Sequence, residues 1–184
     1  MTRRVPFAAP TAPRLAELAS LPALELPDPA DPPERLDLAD GALRGGSLAN
    51  ADLEGSSWHG VLVARVRLTG ARLGRARLTD VLFTECLLDL AALTEARLER
   101  VALRDCRLAG ADLGDLRGRD VSFTDCDLTE VDLTGASFSR TVMFGCALDG
   151  ARGLDRLDGV GMRASDVVAA AGAFADNLGI RFVD

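Results

Sequence analysis

The sequence predicts an all-β solenoid of about five to six four-sided coils, followed by a short C-terminal α-helix. Two observations lead to this prediction. From residue 38 to residue 148 every fifth residue is apolar, with Gly118 as the single exception. Small or β-branched residues recur two positions before these, as at Ala51, Val61 and Val66.

A period of five residues fits neither regular element. On an α-helix, every fifth residue is displaced by about 140° around the axis, so no apolar stripe forms. On a straight strand, an odd period places successive apolar residues on opposite faces. The apolar residues can share one interior only if the backbone turns a corner once per five residues. Such a chain is a solenoid, in which each repeat buries its apolar face by stacking on its neighbours.

The number of sides per coil follows from a second period, of twenty residues. The residues that show it are Cys86, Cys106, Cys126 and Cys146, and Val61, Val81, Val101 and Val121. Twenty residues are four pentapeptides, so a coil has four sides and like residues stack on one side. At the strand spacing of about 4.8 Å, the coils form a rod about 25 Å long.

Three units show the motif of this repeat clearly: Ala51-Asp52-Leu53, Ala111-Asp112-Leu113 and Val131-Asp132-Leu133. They resemble the A-(D/N)-L-x-x motif of the pentapeptide-repeat family. The resemblance implies a right-handed quadrilateral β-helix over residues 34–153. It also implies that the central Leu or Phe points inward, together with the small residue two positions before it.

Two segments lie outside the repeat. Residues 1–33 contain all eight prolines, and we expect an extended strap, preceded by a possible short helix that starts at Thr11 or Ala12. This segment either covers the first coil or is a partly disordered tail. Residues 154–184 are predicted to close the last coil and to form a helix from Asp166 to Asn177. Ser165 is its expected N-cap and Gly179 its stop.

The predicted helix has one apolar face, made of Val167, Ala171, Phe174 and Leu178. This face either caps the last coil or pairs with its copy in a second chain. Some members of the family dimerise through a C-terminal helix, so the resemblance implies a possible homodimer.

Composition argues against several classes of function. The net charge is −7 and the chain has no lysine or tyrosine, which disfavours direct nucleic-acid binding. No apolar run is long enough to span a membrane, and no secretory signal is visible, so a cytoplasmic location is expected. His59 is the single histidine, and no nucleophile, phosphate loop or metal-ligand spacing accompanies it. We therefore expect no enzyme activity, no cofactor and no metal. The four cysteines are expected to be small core residues.

The outward positions predict a charged surface. Arg77, Arg97 and Arg117 stack on one side next to Glu95 and Asp115, and ion-pair ladders are expected there. A candidate acidic interaction surface consists of Glu85, Asp105, Asp112, Asp115, Asp125 and Asp132. Within it, Glu85, Asp105 and Asp125 form a column of like charges. Their mutual repulsion lowers the stability of the fold unless salt screens it or the column has a function.

One outward column is apolar where polar residues would be expected: Ala42, Leu62, Leu82, Ala102, Ser122 and Val142, with Leu87 and Leu90 around the next corner. Exposed apolar patches usually mark contacts. The candidate contact column is Leu62, Leu82, Leu87 and Val142. Either the N-terminal strap packs on it, or it is a surface for a partner.

Gly118, which interrupts the apolar series, has Leu116 two positions before it, where Ser56, Ala76, Ala96 and Ala136 stand in other coils and only the first coil also has a leucine, Leu36. We expect a volume exchange that keeps the core filled.

Some pentapeptide-repeat proteins resemble duplex DNA in width and charge, bind DNA gyrase or topoisomerase IV, and protect against drugs that poison these enzymes. The resemblance therefore implies a DNA mimic, in which carboxylates stand in for phosphates. The alternative is a structural scaffold that binds a different protein.

Overall fold

The computed structural model describes residues 20–27 and 34–181 as a parallel β-solenoid of about six coils that ends in helical turns. The predicted helix at Thr11 or Ala12 lies outside the described residues. The elements in chain order are β1 Leu38–Arg44, β2 Ser57–Ala64, β3 Arg77–Thr84, β4 Arg97–Arg104, β5 Arg117–Arg119, β6 Ser122–Thr124, β7 Ser137–Ser139, β8 Val142–Phe144, a 3-10 helix Leu154–Leu157, β9 Gly161–Met162, α1 Ala164–Ala169 and α2 Ala171–Asn177.

The corner of each pentapeptide is a residue in the left-handed conformation. The φ angle is positive at every fifth residue from Asp40 to Gly150, two positions after each central residue. No Val, Ile or Thr occupies any of these positions, because β-branched side chains clash with the backbone at positive φ. The predicted corner per five residues is confirmed.

Four sides, named A to D here, make up each coil. In the third coil they are residues 76–80, 81–85, 86–90 and 91–95, and each side recurs every twenty residues. Sides A and B are strands in parallel register, with Arg77 opposite Arg97 and Val81 opposite Val101. Sides C and D are joined to their neighbours by single bridges, such as the bridge from Arg67 to Leu87.

The interior is filled by the central residues and by the small residues two positions before them. Leu88, Val81 and Ala71 are fully buried. Trp58 is buried as well, and its Nε1 donates a hydrogen bond of 2.7 Å to the carbonyl oxygen of Leu36. The core is therefore apolar, and its one indole N–H has a partner.

The space left by Gly118 is filled from two directions. Leu116 is fully buried two residues earlier. From the next coil, the ring of Phe138 lies so close that a Cβ on Gly118 would be 2.7 Å from Phe138 Cδ1. The expected volume exchange occurs, with Phe138 as a contributor that the sequence did not indicate.

The described part of the strap, residues 20–27, covers the first coil. Ala23 pairs with Ala42 as a parallel bridge, and the amide of Leu24 donates to the carbonyl of Ala42 at 2.8 Å. Leu24 lies against Gly41, where a Cβ would approach Leu24 Cγ to 2.4 Å. A glycine is needed there because the strap side chain occupies the space of a Cβ.

The C-terminal segment closes the other end of the solenoid. Leu154 and Leu157 of the 3-10 helix are buried against the last coil. β9 then pairs with β8 and extends side B by one strand.

The C-terminal helix differs from the prediction in three respects. It begins at Ala164 rather than Asp166, and Arg163 rather than Ser165 is the N-cap residue. It is also two short helices, because the backbone bends at Ala170 (φ −88°, ψ 7°). The reason is tertiary: the side chain of Asp166 accepts a hydrogen bond from the amide of Gly145 (3.1 Å) and ties α1 to the last coil. The helix does end before Gly179, whose φ is +67°.

Among the described residues, no helix is long and apolar enough to cross a membrane.

Candidate interaction surfaces

An unpaired acidic column lies at the corner between sides B and C. Glu85, Asp105 and Asp125 stack there one coil apart, all exposed and all at positive φ of 50–53°. Within the described part of the chain, none of them has an Arg partner within 4 Å. Three like charges therefore stand about 4.8 Å apart in solvent without a partner.

The other three predicted acidic residues lie elsewhere. Asp112 and Asp132 lie opposite each other in a parallel backbone bridge in the middle of side D. Each accepts a hydrogen bond from the amide two residues ahead, at 2.8 Å and 2.9 Å, and Asp132 also pairs with Arg152 at 2.8 Å. These carboxylates thus have a local structural role, since they satisfy turn amides.

Hydrogen bonds from the side chain and the amide of Thr134, with Arg152 nearby, hold the pKa of Asp132 below its ordinary value. Asp115 lies at the corner between sides D and A, diagonally opposite the acidic column. The six predicted residues therefore form two groups on different parts of the rod rather than one surface.

The predicted ladder between Arg77, Arg97, Arg117 and the neighbouring carboxylates does not form. The three Arg residues stack in register on side A, but none of them has a described carboxylate within 4 Å. Glu95 and Asp115 line the same shallow depression as Arg97 and Arg117. Asp115 leans along the rod instead, with Oδ1 only 2.3 Å from where a Cβ on Gly135 would be.

Close ion pairs occur at other positions, many of them between residues twenty apart. Arg100 binds both oxygens of Asp80 at 2.6 and 2.8 Å, and Asp80 raises the pKa of Arg100 above its ordinary value. Arg140 binds Asp120 one coil before it, and Asp120 is buried. These pairs were not predicted from the sequence, although opposite charges twenty residues apart were a visible signal.

The apolar column on side B is covered. Leu62, Leu82 and Val142 are only 4–7% exposed, and Leu21 of the strap packs on the cluster that contains Leu62 and Leu82. As an open contact surface, the prediction therefore does not hold for Leu62, Leu82 and Val142.

Two leucines near that column do remain in solvent. Leu87 on side C is 38% exposed, and Leu90 at the next corner is 68% exposed. Leu90 also has a φ of +56°, a conformation that is unfavourable for a leucine. It stands between Gly70 and Gly110 of the adjacent coils, so no neighbouring side chain in its column shields it.

The predicted apolar face of the C-terminal helix is divided. Phe174 packs against the core, together with the buried Ala170 and Ala173. Val167 (44%) and Leu178 (69%) are exposed and Ala171 also faces solvent. Val168 and Ile180 extend the exposed apolar region.

The cysteines form a buried column of free thiols. Hydrogen bonding with the thiols of Cys126 and Cys86, together with burial, raises the pKa of Cys106. His59 is exposed on side A. Over residues 20–27 and 34–181, no three His, Cys, Asp or Glu side chains are grouped as metal ligands would be.

Comparison with known families agrees with the repeat geometry. The family model described as "Pentapeptide repeats" matches the chain in eight copies, over residues 47–84 and 119–152. The matched stretches are pentapeptide repeats. In the structure, the repeat continues without interruption through residues 85–118, between the two matched stretches. Among curated proteins, none matches this pentapeptide-repeat protein significantly.

Solved structures of pentapeptide-repeat proteins are similar to the chain at low identity. A trypsin-treated form of QnrB1, a plasmid-mediated fluoroquinolone resistance protein, is 16% identical, with 81% of this chain and 92% of that chain covered and a TM-score of 0.35. Rfr23 from the cyanobacterium Cyanothece 51142 is 16% identical, with 61% and 88% covered and a TM-score of 0.27. HetL, a protein involved in heterocyst differentiation regulation from Nostoc sp. strain PCC 7120, is 22% identical, with 62% and 60% covered and a TM-score of 0.20.

Proposed function

We propose that this pentapeptide-repeat protein acts in the cytoplasm by binding other proteins, without catalysis. Its specific role in this proposal is to occupy the DNA-binding groove of DNA gyrase or topoisomerase IV as a mimic of DNA. The observation that supports this role is the unpaired column of Glu85, Asp105 and Asp125. Carboxylates held in a line can replace phosphates in a groove that is lined with basic residues.

The rigidity of the column favours such binding. Each of the three residues directly follows a strand position in parallel register, such as Thr84 opposite Arg104. The backbone amide of Glu85 donates to the carbonyl of Arg104 at 3.0 Å, and that of Asp125 donates to Phe144 at 2.8 Å. Charges held on a hydrogen-bonded backbone lose little conformational entropy on binding, which improves affinity.

The mimicry is one-sided. Side D and the corner that follows it add Asp112 and Asp115, whereas side A carries the Arg column. A basic groove therefore binds the rod through sides C and D and leaves side A outside.

A supercoiling assay with purified gyrase tests the proposal. The protein should inhibit supercoiling or protect the enzyme from a fluoroquinolone, and the effect should weaken as salt is raised from low to physiological concentration. The double variant Asp105→Asn/Asp125→Asn should lose most of the effect. Asn suits these corners because it tolerates positive φ, as Asn50 does at the corner between sides C and D of the first coil.

The matched control removes the same charge from the opposite end of the rod. Glu25→Gln/Asp40→Asn changes two exposed acidic residues at the first coil and should behave as the unchanged protein. Equal activity of both double variants, or no effect of the unchanged protein at micromolar concentration, contradicts a role on gyrase. The same comparison with topoisomerase IV completes the test.

A second candidate is a scaffold for a different protein, and the exposed leucines favour it. An apolar side chain at Leu90 is unfavourable both for its conformation and for its exposure, unless a partner covers it. Leu87→Ser/Leu90→Asn should reduce binding to the partner of the scaffold. Because both leucines lie on sides C and D, which face the groove in the DNA mimic, only the salt-sensitive part of the gyrase effect should remain in this variant, since that part depends on the carboxylates. A loss of the gyrase effect in this variant would place the leucines in the topoisomerase contact instead.

We further propose a homodimer through the C-terminal helices. Val168 and Leu178 are 75% and 69% exposed, with Val167 and Ile180 beside them. Sedimentation equilibrium should give a dimer, and Val168→Ser/Leu178→Ser should give a monomer with unchanged secondary structure. A monomer for the unchanged protein at 100 µM, a concentration on the order of that used to detect weak dimers, contradicts this proposal.

A further inference from the structure

We infer that the rods associate side by side, with the Arg column of one copy against the acidic column of a second copy. The Arg column is Arg77, Arg97 and Arg117, and the acidic column is Glu85, Asp105 and Asp125. This association is distinct from the topoisomerase role and from a dimer through the C-terminal helices.

The two columns are stacks of like charges that have no ion-pair partner among the described residues. Most acidic residues between the columns are neutralised within the chain, as Asp80 is by Arg100 and Asp89 by Arg107. The members of the two columns have no such partner among the described residues. Stacked like charges on adjacent strands are destabilising, and a surface of opposite charge relieves that repulsion in both columns at once.

The spacing selects a second solenoid as the partner. Both columns have three members, twenty residues apart, and therefore share a repeat of about 4.8 Å. Two intervals span about 9.6 Å in either column. Side chains on one face of an extended strand span about 13.6 Å over two intervals, and one face of a helix spans about 10.8 Å over two turns. A second copy of this chain matches all three charges without a shift.

The placement of the columns determines the kind of assembly. The Arg column starts side A, whereas the acidic column is at the corner between sides B and C, across the rod. Each copy therefore has the Arg column and the acidic column on opposite flanks. Contacts between two different surfaces do not close by two-fold symmetry, so they produce rows of rods that grow with concentration.

The association is weak and sensitive to salt. Ion pairs on a surface contribute little individually and are screened, and copies with a net charge of −7 repel one another. Self-association is therefore expected only at high protein concentration and low ionic strength.

Two double variants separate the surfaces. Arg97→Gln/Arg117→Gln removes charge from the Arg column and keeps the acidic column, and Asp105→Asn/Asp125→Asn does the reverse. In sedimentation velocity at low salt, the unchanged protein should show a weight-average sedimentation coefficient that rises with concentration. Neither variant alone should show this rise, and an equimolar mixture of the two should form a one-to-one complex. Physiological salt should remove the rise and the complex.

The control is Arg67→Gln/Arg181→Gln, which removes two exposed Arg residues outside both columns and should associate as the unchanged protein does. A dimer through the C-terminal helices contributes equally to all samples, so it cannot account for a complex that forms only when the two variants are mixed. A mixture that sediments as its separate components, or variants that associate as the unchanged protein does, overturns the inference. Because this experiment contains no topoisomerase, its result is independent of the result of the supercoiling assay.

Discussion

The side chain of Asn177 fastens helix α2 to the last coil through Ala151. Its Nδ2 donates a hydrogen bond of 2.7 Å to the carbonyl oxygen of Ala151, and its Oδ1 accepts one of 3.1 Å from the amide of Leu154. The last coil has no further coil to satisfy these backbone groups, so one amide side chain does so instead.

Asn177→Ala should lower the free energy of unfolding by about 0.5–1.5 kcal/mol, because the Ala151 carbonyl and the Leu154 amide lose their partners. Urea denaturation measures this loss. Asp176→Ala changes the exposed neighbour and should have an effect within about 0.5 kcal/mol. Equal losses in both variants would mean that the hydrogen bonds of Asn177 do not stabilise the end of the rod.

Gly118→Ala should destabilise the fifth coil by about 1–3 kcal/mol, because the new Cβ overlaps the ring of Phe138. Adding Phe138→Leu should recover part of this loss, and a double-mutant cycle from thermal unfolding quantifies the coupling. Gly172→Ala is the control, since a Cβ there meets nothing within 4 Å, and it should be neutral or stabilising. Strict additivity of the first two changes would show that the close approach is not real.

Substitution of Leu90 tests the conformation of the corners. Leu90→Asn should raise the free energy of unfolding by up to about 1 kcal/mol, because Asn tolerates the left-handed conformation better than Leu. Leu90→Val should lower it, because a β-branched side chain is strongly disfavoured there. The melting temperatures of the two variants should therefore lie on opposite sides of that of the unchanged protein, and the reverse order would contradict the assigned φ of +56°.

Ionisation of Asp132 makes the free energy of unfolding depend on pH. Its pKa in the folded state is lowered, whereas that of an unfolded Asp is about 3.9. The ionised carboxylate therefore stabilises the fold above about pH 4, and this contribution is lost as the pH falls through the folded-state pKa. The free energy of unfolding, measured in urea between pH 7 and pH 2, should fall less steeply for Asp132→Asn, which retains the hydrogen-bond acceptor. The exposed Asp149→Asn should follow the unchanged protein, and three indistinguishable curves would exclude Asp132 as a contributor.

The thiols should be unreactive in the folded protein. All four cysteines are buried, and a thiol-specific reagent has to reach the sulfur atom before it can react. An aromatic disulfide reagent should therefore modify the four cysteines only at the rate of unfolding. Rapid modification in native buffer would show that the coils open locally.

The sequence by itself determined the solenoid, the side count and the interior. A period of five leaves only a chain that turns at every pentapeptide, and the twenty-residue spacing of the cysteines sets four turns per coil. These inferences succeeded because every residue of the solenoid packs against the residue twenty positions away in the next coil. The period of the sequence therefore specifies the long-range contacts directly. The exception was Gly118, where Leu116 was a visible compensation but the close approach of the Phe138 ring was not.

Only the tertiary structure decided what the outward residues do. Whether Arg117 pairs with Asp115 depends on the side-chain direction at a left-handed corner, and the carboxylate of Asp115 points along the rod toward Gly135 instead. Leu62 and Leu82 occupy outward positions of the repeat, yet they are buried, because Leu21 of the strap packs on their cluster. The strap lies outside the repeat, so the period of the repeat could not predict this contact. Likewise, helical spacing could not show that Asp166 binds the amide of Gly145 and that the helix bends at Ala170. Periodicity specifies contacts within the solenoid, but the contacts at its ends and on its surface depend on side-chain geometry that appears only after the coils have stacked.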